Sequence, residues 1–321
     1  MEITGSASAD NLTGSTGEDT LRGGAGNDTI DGLAGRDALY GDSNDDTIKY
    51  DNADATVDGG LGIDTLQVVV SGKIIDLQMP DRRPVLSSLE KIDLNTTGAN
   101  YLVVDAQTIA ALATETSSAG NLTVIANASD FIFVEGTRTG TGPYTITTAG
   151  VSKTLTISGS VSWGNYIRGT SGDDSALNGV ASATPDLIHG DAGNDTIDGL
   201  SGTDIIYGDA GNDVIVFDNT DLLIDGGADA DTLQVAGSGV TVDLTAKADD
   251  IIFNVETIDL TGTGNNILTL NAADVAAINA VSKEIAVTGN AGDVLNLTGG
   301  WVRGADDVSG NQIFTLDGSK V

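Results

Sequence analysis

The sequence contains no cysteine and a single histidine, His189. Disulfide staples are excluded, and so is most thiolate and imidazole chemistry, including ordinary zinc sites and cysteine–histidine catalysis. His189 closes a degenerate repeat and is expected to be a solvated, outward-facing side chain. Basic residues are scarce: 14 Lys and Arg face 47 Asp and Glu, a formal net charge of −33. A surface of that sign repels nucleic acid and anionic membranes. No apolar stretch reaches the roughly 18 residues that a spanning helix needs. No cleavable leader is legible, since Met1, Glu2, Ile3 and Thr4 run directly into repeat sequence. Carboxylate pairs could serve glycoside hydrolysis, but among 40 aspartates such pairs are unavoidable and single out nothing. The chain is read as non-enzymatic.

What is abundant is aspartate, with 40 residues against seven glutamates, and glycine, with 43. Aspartate is the shorter carboxylate, suited to turns and to hard cations. Hydrophobic residues make up 40% of the chain, enough to build a core, while a net charge this high favours disorder where no cation compensates it.

Self-similarity dominates. From Gly5 to Gln67 seven nonapeptides follow without a slip: GSASADNLT, GSTGEDTLR, GGAGNDTID, GLAGRDALY, GDSNDDTIK, YDNADATVD and GGLGIDTLQ. A second block, from Ala181 to Gln234, reads ASATPDLIH, GDAGNDTID, GLSGTDIIY, GDAGNDVIV, FDNTDLLID and GGADADTLQ, preceded by the looser GTSGDDSAL at Gly169. Position 6 supplies Asp10, Asp19, Asp28, Asp37, Asp46 and Asp64, then Asp186, Asp195, Asp204, Asp213 and Asp231. Position 8 is aliphatic throughout.

Each position has a physical task. Glycine at positions 1 and 4 is expected to allow positive φ and a sharp turn, with Asn44 and Asp229 as tolerant substitutes at position 4. Positions 7 to 9 alternate as a short strand whose middle residue points inward. Two nonapeptides then form one coil, coils stack into two parallel sheets, and Asp28 falls over Asp10. Such a column repels itself unless a cation sits within it. Oxygen-only ligands suit Ca²⁺.

GGAGNDTID (Gly23–Asp31) and GDAGNDTID (Gly190–Asp198) resemble the RTX, or hemolysin-type, calcium-binding repeat, GGxGxDxUx. The resemblance covers a little over a third of the chain. It implies a parallel β-roll with calcium held between turns two repeats apart, by the position-6 aspartates and turn carbonyls. Gly23, Ala25, Gly41, Ser43, Gly190, Ala192, Gly208 and Ala210 are the expected carbonyl donors. The same-side pairs are Gly5 with Gly23, Gly23 with Gly41, Gly41 with Gly59, Gly14 with Gly32, Ala181 with Gly199, Gly190 with Gly208, and Gly208 with Gly226, implying roughly six to eight ions. Secretion by a type I route with an uncleaved carboxy-terminal signal is also implied, although FTLDGSKV is too nondescript to mark one. Both blocks depart at the penultimate unit, where Tyr50 and Phe217 replace glycine and Ala55 and Leu222 replace aspartate. Asp54 or Asp221 could substitute as ligand there; a metal-free turn closing the stack is the simpler expectation.

The remaining segments also resemble each other, SLEKIDLNTTGANYLVVDAQTIAALA with NVETIDLTGTGNNILTLNAADVAAINA, so the chain reads as one module repeated after about 166 residues. The expected organisation is all-β: a β-roll over 1–67, a β-rich cap with one short helix over 68–165, a second roll over 166–235 and a second cap over 236–321. The first cap is expected to project a hairpin near 136–150. The functional expectation is a secreted, calcium-folded structural protein of the cell surface or extracellular matrix that self-assembles head to tail. The rivals are an adhesin that binds a surface glycan and the secretion region of an exported enzyme.

Overall fold

The structure is a computed structural model describing residues 1–78, 85–113, 120–246, 251–304, 314–316 and 319–321. Met79, at the end of the IIDLQM segment, and residues 317–318 of FTLDGSKV lie outside the described residues. The chain divides into two compact units, Met1–Gly164 and Asn165–Val321.

In the first unit each nonapeptide from Gly5 onward contributes a short strand. Glu2–Thr4, Thr20–Ala25, Ala38–Ser43 and Thr56–Asp58 form one face, and Asn11–Thr13, Thr29–Asp31, Thr47–Lys49 and Thr65–Gln67 the other. Pairing is parallel throughout, with Leu21 opposite Leu39, Leu12 opposite Ile30, and Ile48 opposite Leu66. Residues 18 apart are therefore stacked, as a coil of two nonapeptides requires. Leu21, Ile30, Leu39, Ile48, Val57 and Leu66 are fully buried. Burying each of these contributes roughly 1.5–3 kcal/mol.

The segment after Gln67 prolongs the roll more than it covers it. Lys91–Asp93 pairs in parallel with Thr65–Gln67, Leu122–Ala126 with Lys91–Asp93, and Val151–Gly159 with Leu122–Ala126. Longer coils leave space for a third parallel sheet of Ile74–Asp76, Tyr101–Val104, Phe131–Val134 and Ser162–Trp163. The larger sheet ends in antiparallel strands, Thr137–Thr139 and Tyr144–Thr148, folded back on Val151–Gly159. This is the hairpin expected near 136–150. Helix α1, Ala106–Leu112, starts at Asp105, whose side chain accepts the Thr108 N–H while Thr108 caps in return, the reciprocal arrangement that stabilises a helix start.

The second unit repeats this plan. Ile188, Ile206 and Ile224 stack on one face, and Ile197, Ile215 and Leu233 on the other. Thr257–Asp259 and Ala286–Thr288 extend the second face. Thr241–Asp243, Ile267–Leu270 and Val294–Leu297 form the additional parallel sheet. Helix α2, Ala272–Ile278, is capped by Asn271. Among the described residues no helix is long and apolar enough to cross a membrane.

Candidate metal centres

The position-6 aspartates form vertical ladders. In the first unit the Asp10 N–H donates to Asp28 Oδ1 (2.8 Å), Asp28 to Asp46 (2.7 Å) and Asp46 to Asp64 (2.8 Å). On the opposite side the Asp19 N–H donates to Asp37 Oδ1 (2.8 Å). In the second unit Asp195 donates to Asp213 and Asp213 to Asp231, each at 2.8 Å, and Asp186 donates to Asp204 at 2.9 Å. The N–H of Asp174, in the looser GTSGDDSAL unit, donates to Asp195 Oδ1 at 2.8 Å. Sequence reasoning left Asp174 out of the site, although it stands at position 6 of that unit.

Each rung uses one carboxylate oxygen and leaves the other. Oδ2 of Asp28, Asp37, Asp46, Asp64, Asp195, Asp204, Asp213 and Asp231 is buried with no hydrogen-bond partner. Anionic oxygens this deep are strongly destabilising when uncompensated. Their neighbours are oxygens too. A Cβ built on Gly23 would collide with Asp28 Oδ2 and the Gly41 carbonyl, and one on Gly208 with Asp213 Oδ2 and the Gly226 carbonyl. Position 1 is therefore glycine because a side chain would fill the space where a carboxylate and the next coil's carbonyl converge. Its φ is not positive, contrary to expectation; the left-handed residue is position 2, including Gly24, Leu33, Asp42, Asp191, Leu200 and Asp209. Position 4 has positive φ in most turns, including Gly26, Asn44 (78°) and Asp229 (84°), but not at Gly17 or Gly202.

The first turn of the roll explains position 2. Ser6 lacks the left-handed φ, and its N–H donates to Asp10 Oδ2 at 2.6 Å; the Ser15 N–H reaches Asp19 Oδ2 at 2.5 Å. From the next coil onward the left-handed residue accompanies a carboxylate without that donor. Acidity follows the donors. The Ser6 N–H lowers the Asp10 pKa, and the Met1 ammonium, 2.6 Å from Asp19 Oδ1, lowers that of Asp19. Burial, followed by neighbouring carboxylates, raises Asp46 and Asp64 to about 7, Asp213 to about 6 and Asp231 to about 7.

Among the described residues no three His, Cys, Asp or Glu side chains converge on one point. A cation here would need carbonyl oxygens to complete its shell, and the turns present them. This donor set, anionic and neutral oxygen without nitrogen or sulfur, fits Ca²⁺. The family described as the RTX calcium-binding nonapeptide repeat (four copies) matches residues 4–39, 13–48 and 181–215. The stacked turns over these residues are RTX repeats. RTX repeats bind several Ca²⁺ ions, so the chain is a calcium-binding protein. No curated protein matches it.

Two expectations about the RTX turns change. Gly179, not Ala181, faces the Gly199 carbonyl and Asp186 Oδ2; the turn before Asp186 is two residues longer, which moved the glycine out of frame. His189 is 6% exposed rather than solvated. It stacks on Tyr207 with ring centroids 4.7 Å apart, and its Nδ1 lies 3.0 Å from Asp209 Oδ2. Position 9 residues stack like position 8 residues, so an aromatic neighbour buries the imidazole. The position-3 residues lie in the coil-to-coil ladder: Ala25 bridges to Ser43 and Ala192 to Ala210, and the Ala210 carbonyl accepts the Gly193 N–H at 2.9 Å. The position-1 carbonyls are those that face the carboxylates.

The penultimate turns differ as their sequences do. Tyr50 and Phe217 are buried within the two hydrophobic cores. Asp54 is 5% exposed with neither carboxylate oxygen hydrogen-bonded, and Asp221 is 4% exposed with a free Oδ1. Burial and then the facing Asp37 push Asp54 up to about 7; burial and then Asp204 push Asp221 to about 8.

Proposed function

We propose that Ca²⁺ occupies the spaces between stacked RTX turns and that calcium loading folds a secreted structural protein able to self-assemble. Asp10, Asp19, Asp28, Asp37, Asp46, Asp64, Asp186, Asp195, Asp204, Asp213 and Asp231 supply carboxylates. The carbonyls of Gly23, Gly41, Gly190 and Gly208 face them, and those of Ala25, Ser43, Ala192 and Ala210 lie two residues further round the turn. The observation carrying this reading is the column of buried, unpartnered Oδ2 atoms beside glycine carbonyls. The ligands come together only in the coil, so binding free energy is folding free energy.

RTX repeats are typical of secreted proteins of the Gram-negative type, and extracellular millimolar calcium would fill such sites while a calcium-poor cytosol would not. Two like units in one chain favour assembly over catalysis, since a module that repeats within a chain can also repeat head to tail between chains. Light scattering after size exclusion, with electron microscopy, tests this across a calcium titration. Ordered filaments or lattices are expected at millimolar calcium. Dispersed monomers at high concentration with calcium bound would refute assembly.

A further inference from the structure

The RTX match ends at residue 48 in the first unit and at residue 215 in the second, yet the oxygen-lined spaces continue beyond the last nonapeptide. A Cβ on Gly59 would meet Asp64 Oδ2 and the Ser88 carbonyl; one on Gly226 would meet Asp231 Oδ2 and the Asn254 carbonyl. Ser88 and Asn254 thus stand where Gly41 stands for Gly23. The ladder continues as well, with the Asp64 N–H donating to Glu90 Oε2 at 3.0 Å and the Asp231 N–H to Glu256 Oε2 at 2.8 Å. Glu90 and Glu256 therefore hold the place of the next position-6 aspartate.

The chain reaches this arrangement by a different route. In a nonapeptide the position-1 residue and the aspartate are five positions apart; here Ser88 and Glu90, like Asn254 and Glu256, are two positions apart. The turn is tightened by left-handed φ at Ser88 (52°) and Asn254 (50°), and the extra methylene of Glu spans the remaining distance. A non-glycine residue is strained in that region. Both units carry this departure at equivalent positions. The carboxylates aimed into the spaces are buried, Asp64 at 0% and Asp231 at 1% exposure, and each leaves Oδ2 without a hydrogen-bond partner. The facing glutamates are held in place; Glu256 Oε1 accepts the Asn279 Nδ2 at 3.2 Å.

We infer that each roll ends on an off-motif calcium site, formed by Asp64 Oδ2 and the Ser88 carbonyl in the first unit and by Asp231 Oδ2 and the Asn254 carbonyl in the second, with Glu90 and Glu256 as positioning residues that add a second negative charge. This rests on the calcium reading of the preceding turns. Ser88 and Glu90 lead directly into Lys91–Asp93, the first strand of the flank on the long sheet. The terminal ion therefore ties the flank to the repeats, and the flank gains order when the ion binds.

Anomalous diffraction from crystals of the full chain grown with calcium tests this. Peaks are expected between the stacked nonapeptide turns and additionally beside Asp64 and Ser88, and beside Asp231 and Asn254. Peaks between nonapeptides but none at the two terminal positions would overturn the inference and leave the calcium reading intact; no peaks anywhere would overturn that reading itself. In solution, the double substitution Glu90→Gln and Glu256→Gln keeps an acceptor for the aspartate N–H but removes the charge. Calcium titration should then lose its contribution from two ions or show them weakened at least tenfold, with the remaining ions unchanged. Unaltered stoichiometry and affinity would also overturn the inference.

Discussion

Stripped of calcium, the protein should be stabilised by acid. Asp46, Asp54 and Asp64 are each raised from 3.8 to about 7 in the folded first unit, with burial as the leading cause. A carboxyl raised in the folded state binds protons more tightly there than in the unfolded chain. Its stabilisation is present below 3.8 and is lost as the pH climbs through about 7. A displacement of that size is worth roughly 4 kcal/mol per carboxyl. Asp46 and Asp64 share one ladder and titrate together, so the unit-wide effect is smaller than three independent groups would give. Even half, about 6 kcal/mol, falls within the 5–15 kcal/mol that holds an ordinary domain together. The second unit should act alike, since Asp204 and Asp213 are raised to about 6, Asp231 to about 7 and Asp221 to about 8. The assay is urea unfolding of calcium-stripped protein, followed by far-ultraviolet circular dichroism at pH 5 and pH 8. The midpoint should be clearly higher at pH 5. Saturating calcium at pH 8 should restore or exceed that stability, because the ion neutralises what protons neutralise in acid. A calcium-free protein as stable at pH 8 as at pH 5, or more so, would refute the reasoning.

Asp54→Asn and Asp221→Asn replace buried charges by neutral isosteres, and should raise the calcium-free urea midpoint at pH 8. Asp28→Asn or Asp195→Asn should cost more stability in calcium than those two substitutions, since Asp28 and Asp195 each lie between two stacked turns; denaturant titration in millimolar calcium compares them. Gly23→Ala puts a methyl among Asp28 Oδ2 and the Gly41 carbonyl and should weaken calcium binding by calorimetry, whereas Gly172→Ala, with nothing within 4 Å of the new atom, should not. Ile206→Ala empties part of the fully buried core of the second unit and should cost 2–5 kcal/mol with calcium bound.

Much of this arrangement is legible in the sequence because the nonapeptide is a local code. A fixed period places Asp28 over Asp10 and Ile30 over Leu12 whatever the flanks do, so stacking, parallel pairing and the buried position-8 residues follow from spacing alone. The role of position 1 was misread because glycine serves both positive φ and close approach, and spacing does not distinguish them; only the neighbouring Asp Oδ2 and carbonyl do. Ser88 and Glu90 escaped because they reach the ladder by a shortened turn and a longer side chain, outside the period. The parallel between SLEKID and NVETID held that signal, since Glu90 and Glu256 recur immediately before matching strands. Reading those segments as caps followed from their loss of the nine-residue period. A parallel sheet continues through coils of any length, provided the strands return in register, and Ile92 opposite Leu66 shows that they do.

The central claim, that calcium within the stacked RTX turns is what folds the repeats, is tested most directly by amide hydrogen exchange at pH 8 with and without calcium. The strands Thr29–Asp31, Thr47–Lys49, Thr196–Asp198 and Val214–Val216 report the coils. Strong protection in millimolar calcium and its collapse after exhaustive chelation are the predicted result. Equal protection of these strands in both conditions would contradict the account.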